Sequence, residues 1–246
     1  MPENLVIIPT YNEKENIENI IHAVFRQPYD FHILIVDDNS PDGTAAIVKN
    51  LQKEFPEKLF LLERGGKLGL GTAYIEGFKW ALDRDYKYIF EMDADFSHNP
   101  NDLPKLYQAC ANEGVDLAIG SRYLTGVNVV NWPLGRVLMS YMASIYVRLV
   151  TGLKITDTTA GFKCYRREVL ETIELDKIRF KGYGFQIEMK FKTYKSGFTL
   201  KEIPIIFINR ELGTSKMSGG IFSEAFLGVI KLKIQSLFYH YPQKKK

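Results

Sequence analysis

The 246-residue chain contains two cysteines, Cys110 and Cys164, and four histidines. Neither cysteine belongs to a C-x-x-C pair or to metal-ligand spacing, so neither a disulfide framework nor a zinc site is indicated, and two reduced thiols fit the cytoplasm. Long apolar runs are also missing. The stretch over residues 137–147 is short, and the one around "FLGVIKLKIQSLF" is interrupted by Lys231 and Lys233, whereas a spanning helix needs roughly 20 mostly apolar residues. No transmembrane helix is expected. The amino terminus "MPENLVIIPTYNE" lacks the basic start and cleavage region of a signal peptide, so export is not expected either. Charge of one sign barely exceeds the other: 32 Lys and Arg face 29 Asp and Glu, and a formal net charge of +3 is too small to argue for nucleic acid. The tail "YHYPQKKK" gathers positive charge at one end, and reads either as a solvated terminus or as a contact with an anionic membrane surface.

With 46% hydrophobic and 25% charged residues, the chain can bury one substantial core. "NLVIIPT", "FHILIVDDNS", "KLFLLER" and "YKYIFEMDAD" read as strands separated by amphipathic helices. Continuous apolar strands alternating with helices indicate an α/β fold with a mainly parallel sheet covered on both faces. Ligands in such sheets sit beyond the carboxyl ends of strands, which is where Pro9 to Glu13, Asp37 to Ser40 and Asp93 to Ser97 fall. The later half continues with the strand "DLAIGSR", a loop leading into a helix around Met139, the loop "FKGYGF", the helix "QIEMKFKTYKSG" and the strand "LKEIPIIFINR". The last helix carries Glu224, Gly228, Lys231 and Gln235 on one stripe and apolar residues elsewhere. It is expected to pack on the domain, to lie in a membrane interface or to dock on a membrane partner.

In "FEMDADFSHNPNDL", two aspartates stand one residue apart after a buried strand. Alone, a D-x-D is equally a solvated turn or helix cap. The mutual repulsion of the two carboxylates is relieved by a cation, and oxygen-only ligands suit Mg²⁺ or Mn²⁺ shared with a diphosphate. "VDDNSPDGT" supplies a second acidic pair, one acid able to accept from a base or ribose while Asp42 caps the next helix. "GGKLGLGTA" matches no nucleotide-loop consensus, and close backbone packing explains its glycines equally well. Arg122, Arg136, Lys181, Arg210 and Lys216 all stand in or beside loops or element ends, with arginine the better bidentate phosphate ligand.

Taken in order, "IPTYNE", "VDDNSPDGT", "LGLGTAY", "DADFSHNP", "GSRY", "DTTAGFKCYRREVL", "KGYGFQIEM" and "IPIIFINRELGTSKMSG" resemble the dolichol- and polyprenol-phosphate mannose synthases, inverting members of glycosyltransferase family 2. The resemblance implies a Rossmann-like GT-A fold, a GDP-mannose donor, a polyprenyl phosphate acceptor and a divalent cation. On matching positions it makes Pro9, Tyr11 and Glu13 the nucleotide entrance and Val36 with Asp38 the base- and ribose-contacting pair. Asp93, Ala94 and Asp95 form the metal–diphosphate turn. Ser97 reaches the metal directly or through water, because some relatives have glutamine there. Arg122, Lys181, Arg210 and Lys216 resemble donor-phosphate contacts, with Lys181 to Phe185 as a lid. Arg136 resembles an acceptor-phosphate ligand beside Arg122, and Ser140 follows one turn on. Asp95, Arg122 and Arg136 are the residues expected to act on the reacting groups. A catalytic domain is expected over residues 1–217, with an amphipathic helix and basic tail over 218–246. The protein is expected at the cytoplasmic face of the membrane, held peripherally by that segment or through a membrane-anchoring subunit. Two rival activities follow from the same residues: a polyprenyl-phosphate glucosyltransferase using UDP-glucose, and a nucleotide-sugar sensor without catalysis.

Overall fold

The computed structural model describes residues 3–182, 184–209 and 221–245. Arg210 and Lys216, two of the expected donor-phosphate contacts, lie outside the described residues.

The first half alternates as the apolar pattern requires: β1 (Asn4–Thr10), α1 (Ile17–Phe25), β2 (Phe31–Asp37), α2 (Thr44–Leu51), β3 (Leu59–Glu63), α3 (Leu70–Leu82) and β4 (Tyr88–Glu91). α4 (Leu103–Ala111), β5 (Leu117–Ser121), β6 (Val129–Val130) and α5 (Leu134–Thr151) follow. The chain continues with β7 (Lys163–Arg166), α6 (Arg167–Thr172), α7 (Gly184–Lys195), β8 (Leu200–Pro204), β9 (Phe207–Ile208) and α8 (Ile221–Gln235). Seven strands form one sheet in the order β3-β2-β1-β4-β7-β5-β8, and β6 pairs with β9 in a small parallel ribbon. Within the large sheet β7 alone runs against its neighbours β4 and β5; the remaining pairings are parallel.

β1 and β2 are apolar without alternation because both faces are covered. On one face Val6, Ile8, Ile33 and Ile35 pack with Ile20, Ile21, Val48 and Leu106 of the helices. On the other, Leu5, Ile7, Leu34 and Val36 meet Tyr74, Phe78 and Phe185. Two strands are shorter than the sequence suggests. β4 stops at Glu91, and the chain beyond it turns through Phe96, whose φ is +59°, a left-handed conformation costly for a bulky residue. "LKEIPIIFINR" breaks after Pro204, and its second half leaves the sheet to pair with β6.

The glycines of "GGKLGLGTA" serve close packing: Gly71 donates its N–H to the Lys181 carbonyl at 2.8 Å, and a side chain there would collide with the Phe180 carbonyl. This contact involves the first residue of the lid expected over Lys181 to Phe185, and the last residue of that stretch is not in a loop. Phe185 already belongs to α7, is fully buried and stacks on Tyr74, so it is core.

α8 packs on the domain and also exposes apolar residues. Val229 and Leu232 are buried within the core, and the Gly228 backbone meets the Phe180 ring. On the opposite side Leu227, Ile234, Leu237 and Phe238 are exposed, as are Leu134, Met142 and Leu149 of α5. Lys244 of the basic tail does not face solvent freely. Its ammonium lies 2.8 Å from the buried Asp116 carboxylate, and its N–H donates to the Ser196 carbonyl. Among the described residues, no helix is long and apolar enough to cross a membrane.

Candidate active site

The carboxyl ends of β1, β2, β4 and β5 lie along one edge of the sheet. Two regions of polar residues are built there.

The first joins the ends of β1 and β2. Thr10 donates its hydroxyl to Asp37 at 2.8 Å, the Glu13 N–H donates to the Thr44 hydroxyl, and the Lys14 N–H donates to Asp42. Asp42 also accepts from the Thr44 N–H and hydroxyl at the start of α2, although the N-cap position expected for it is held by Gly43. Pro9, Tyr11, Glu13, Val36 and Asp38 therefore share one neighbourhood. The Lys67 ammonium stands 4.9 Å over the Tyr11 ring. Asp38 is paired with Arg64 of the β3 end at 2.6 Å, and Arg64 also holds Thr72 and Glu76. Burial raises the Asp38 carboxyl against the opposing pull of that guanidinium. No expectation from sequence had assigned a role to Arg64.

The second is a cavity of about 470 Å³. Asp93, Asp95, Ser97, Arg122, Arg136 and Ser140 all border it, so six of the expected residues converge. Lys181 is exposed and does not border it. Ala94, within the turn, is buried. The Ser97 hydroxyl and N–H both donate to Asp95 Oδ1, at 2.5 and 3.1 Å, which aims that carboxylate. The Asp93 N–H donates to His98 Nδ1 at 3.0 Å, which puts the imidazole proton on Nε2. Burial drives the His98 pKa down to about 4, although Asp95 opposes it, so the ring is neutral and stacks flat on Phe162.

Arg122 is held by Asp157: Nε and Nη2 donate to the two carboxylate oxygens, each at 2.7 Å. Nη2 also donates to the Thr159 hydroxyl at 2.6 Å. Burial alone would raise the Asp157 carboxyl, but Arg122 outweighs it and holds the group below the usual range. Arg136, in the first turn of α5, stacks over Trp132 at 4.0 Å and donates to Asn209 Oδ1 at 3.0 Å.

Beneath the acid turn, Glu91 lies 2.9 Å from Lys163 and accepts from Tyr165 and Gln186. Tyr74, buried nearby, has its phenol pushed well above the ordinary value by burial and then by Asp93, Glu91 and Asp95. Three carboxylates thus act on one spot while Lys163 faces Glu91. A hard cation with oxygen ligands fits Asp93 and Asp95, and it would offset the charge that the lysine leaves.

An apolar wall of the cavity is formed by Met139, Met142, Tyr146, Val147, Phe226 and Val229 of α5 and α8. Sequence reasoning assigned no part in the site to Asp157, His98, Trp132 or this wall. "DTTAGF" showed an acid before a strand, but its partner lies 35 positions away.

A polar edge, an acidic turn and two arginines at the carboxyl ends of a mainly parallel sheet accompany the GT-A architecture of a glycosyltransferase, the class that the comparisons with known proteins show. The family model for glycosyl transferase family 2 matches residues 5–174. A polyprenol monophosphomannose synthase from Mycolicibacterium smegmatis is 48% identical over 94% of this chain and 87% of its own length. An undecaprenyl-phosphate mannosyltransferase from Micrococcus luteus is 46% identical over 92% of both chains. The chain belongs to glycosyl transferase family 2. Solved structures that share the fold include glucosyl-3-phosphoglycerate synthase from Mycobacterium tuberculosis with Mn²⁺ and UDP, at TM-score 0.66 and 16% identity, covering 95% of this chain and 79% of that one. A mannosyltransferase from Pyrobaculum calidifontis with GDP-Man and Mn²⁺ aligns at TM-score 0.62 and 18% identity, covering 98% and 66%.

Proposed function

We propose that the chain transfers mannose from GDP-mannose to a polyprenyl phosphate with inversion, giving a polyprenyl β-mannosyl phosphate. One observation carries the reading. The cavity is amphiphilic, bordered both by Asp93, Asp95, Arg122 and Arg136 and by the methionines and aromatics of α5 and α8. Such a cavity fits an acceptor that is itself a phosphate on an apolar chain. The names of the two relatives point the same way.

In this reading the nucleotide lies along Pro9, Tyr11, Glu13, Val36 and Asp38, with Arg64 setting the position of the Asp38 carboxylate. Asp93 and Asp95 hold a divalent cation, Mg²⁺ or Mn²⁺, with Ala94 completing the turn and Ser97 orienting Asp95 or reaching the ion through water. When bound, such a cation offsets charge growing on the departing diphosphate, as Lys181, Arg210 and Lys216 do on the donor side. Arg122 and Arg136 seat the acceptor phosphate, beside Ser140. No strong base is required, because a phosphomonoester with a second pKa of about 6 is largely ionised at neutral pH and attacks once positioned. The apolar wall excludes water that would otherwise hydrolyse the donor.

The division into a catalytic domain over 1–217 and a segment over 218–246 belongs to the same proposal. The exposed apolar residues of α5 and α8 lie against the membrane surface that holds the acceptor. Continuity supports this: Met142 and Phe226 both border the cavity and are among the exposed apolar residues of α5 and α8.

Incubating purified protein with GDP-mannose, farnesyl phosphate and Mg²⁺ tests the reading directly. A lipid-linked mannose is expected, with none from farnesol. Transfer from UDP-glucose in preference to GDP-mannose would replace the donor assignment, and donor binding without product would replace the enzymatic one.

A further inference from the structure

His98 follows the acid turn, borders the cavity and is only 2% exposed. Its ring is fixed on two sides, flat on Phe162 at 5.0 Å and edge-on to Phe207 at 5.5 Å. Because Nδ1 accepts the Asp93 N–H, the proton sits on Nε2. That N–H has no partner among the described residues, yet Nε2 is not one of their sealed-off unpaired atoms, so it opens on the cavity. Gly161, also on the cavity wall, keeps the opening clear: a Cβ there would stand 3.4 Å from His98 Cε1 and 3.8 Å from Nε2. The nearby Gln186 amide is already spanned between Lys163 and Glu91.

A buried N–H is almost always paired, so this one calls for a ligand oxygen. The tautomer decides its chemistry. With the proton on Nε2, that atom has no lone pair for a cation and cannot act as a base; it can only donate. In the proposed mannosyl transfer the charged parts of the ligands already have charged partners, the cation and diphosphate at the acid turn and the acceptor phosphate at Arg122 and Arg136. Between them lies the uncharged sugar. Asp95 and Arg122 both act on the His98 ring, which places it between those two regions. We propose that His98 and Gly161 form a hydroxyl-binding niche for the transferred sugar: the Nε2–H donates to one hydroxyl oxygen, and the absent side chain of Gly161 admits it. The inference rests on the proposed arrangement of donor and acceptor. A neutral donor on a rigid ring recognises a hydroxyl by its position. A sugar whose hydroxyl points elsewhere leaves the N–H buried and unpaired, which disfavours the wrong epimer.

His98→Asn keeps an acceptor for the Asp93 N–H, since Oδ1 replaces Nδ1, and removes the Nε2 donor. Gly161→Ala keeps His98 and covers Nε2 with a methyl at ordinary contact distance, without a collision. Calorimetry with Mg²⁺ present compares GDP-mannose with GDP. Each variant is expected to weaken GDP-mannose about tenfold and GDP by less than about twofold, with the Mg²⁺ requirement unchanged. Equal losses for both nucleotides would mark a structural or diphosphate role, a raised Mg²⁺ requirement would mark a cation ligand, and full GDP-mannose affinity in His98→Asn would leave the N–H without a sugar. Each of these overturns the inference. Monodeoxy analogues of GDP-mannose supply a second readout. One of them is expected to bind the wild type weakly and to lose nothing further in His98→Asn, whereas additive losses for every analogue would overturn the niche. The same titrations with UDP-glucose and UDP separate the niche from the identity of the donor. A sugar-specific loss seen with UDP-glucose alone keeps the niche and overturns the mannose assignment; GDP-mannose that binds and transfers normally in both variants overturns the niche alone.

Discussion

Arg122 and Asp157 form a buried two-pronged ion pair, with both carboxylate oxygens taking hydrogen bonds from one guanidinium edge and the Arg122 N–H adding a third bond at 3.0 Å. Asp157 is itself fixed from behind, because its N–H and that of Thr156 donate to Glu202 of β8. The arginine is therefore aimed before any substrate arrives.

Asp157→Asn should leave Arg122 buried and miscompensated. Breaking such a pair costs about 3–5 kcal/mol of stability, and the acceptor KM should rise at least about tenfold. Thermal unfolding and acceptor titration measure the two losses. Normal melting with a normal acceptor KM would contradict the positioning role of Asp157.

Asp95→Asn should reduce transfer by about a hundredfold or more while the fold persists, because it removes a negative charge that a divalent cation at the acid turn would require. Circular dichroism and initial rates with Mg²⁺ are the measurements. Near-normal metal-dependent turnover in a folded variant would remove Asp95 from the reaction.

The tail gives a pH-dependent test. Burial pushes the Asp116 carboxyl up, but hydrogen bonds from Lys244 and Thr199 outweigh it and leave the group below its ordinary value. A carboxyl depressed in the folded state adds stability above its unfolded pKa of about 3.9 and loses that share as pH falls through the folded value. Lys244→Gln should therefore destabilise the protein at neutral pH, with the gap to wild type closing as pH falls below about 4. Denaturant melts across pH check this; a gap that persists or widens in acid contradicts it.

For the membrane contact, the exposed apolar residues are the better target than the lysines, since Lys244 is engaged with Asp116. Leu227 and Phe238 are 67% and 82% exposed, so changing both to glutamate should leave the core intact. Co-sedimentation with anionic vesicles should fall severalfold, whereas transfer to detergent-dispersed farnesyl phosphate should persist. Undiminished vesicle binding would assign this face to something other than lipid.

What the sequence disclosed and what it concealed divide along physical lines. The alternation of β1 to β4, the acid turn and the arginine after β5 were legible, because buried parallel strands leave continuous apolar runs and their ends are fixed in position. The reversal of β7 was not, since a strand's direction leaves no mark on its own composition. Nor was the Arg122–Asp157 pair, because a contact between residues 35 positions apart follows no local period. The two readings of α8 could not be separated by pattern alone, because a helix that is apolar on two sides serves core and surface together.

β7 stands between β4 and β5 in the sheet although it follows both in the chain, so residues 122–162 form one excursion bracketed by the hydrogen-bonded neighbours β5 and β7. That excursion carries Arg122, Trp132, Arg136, the α5 part of the apolar wall and Asp157, whereas the β1–β2 edge and the acid turn occupy the first hundred residues. These two parts of the site are thus encoded in separate stretches of the chain, with the α8 wall contributed from beyond both. Divergence within a single contiguous stretch could retune which acceptor is taken while the donor half stays unchanged, and grafting that stretch between relatives is a direct route to altered acceptor preference.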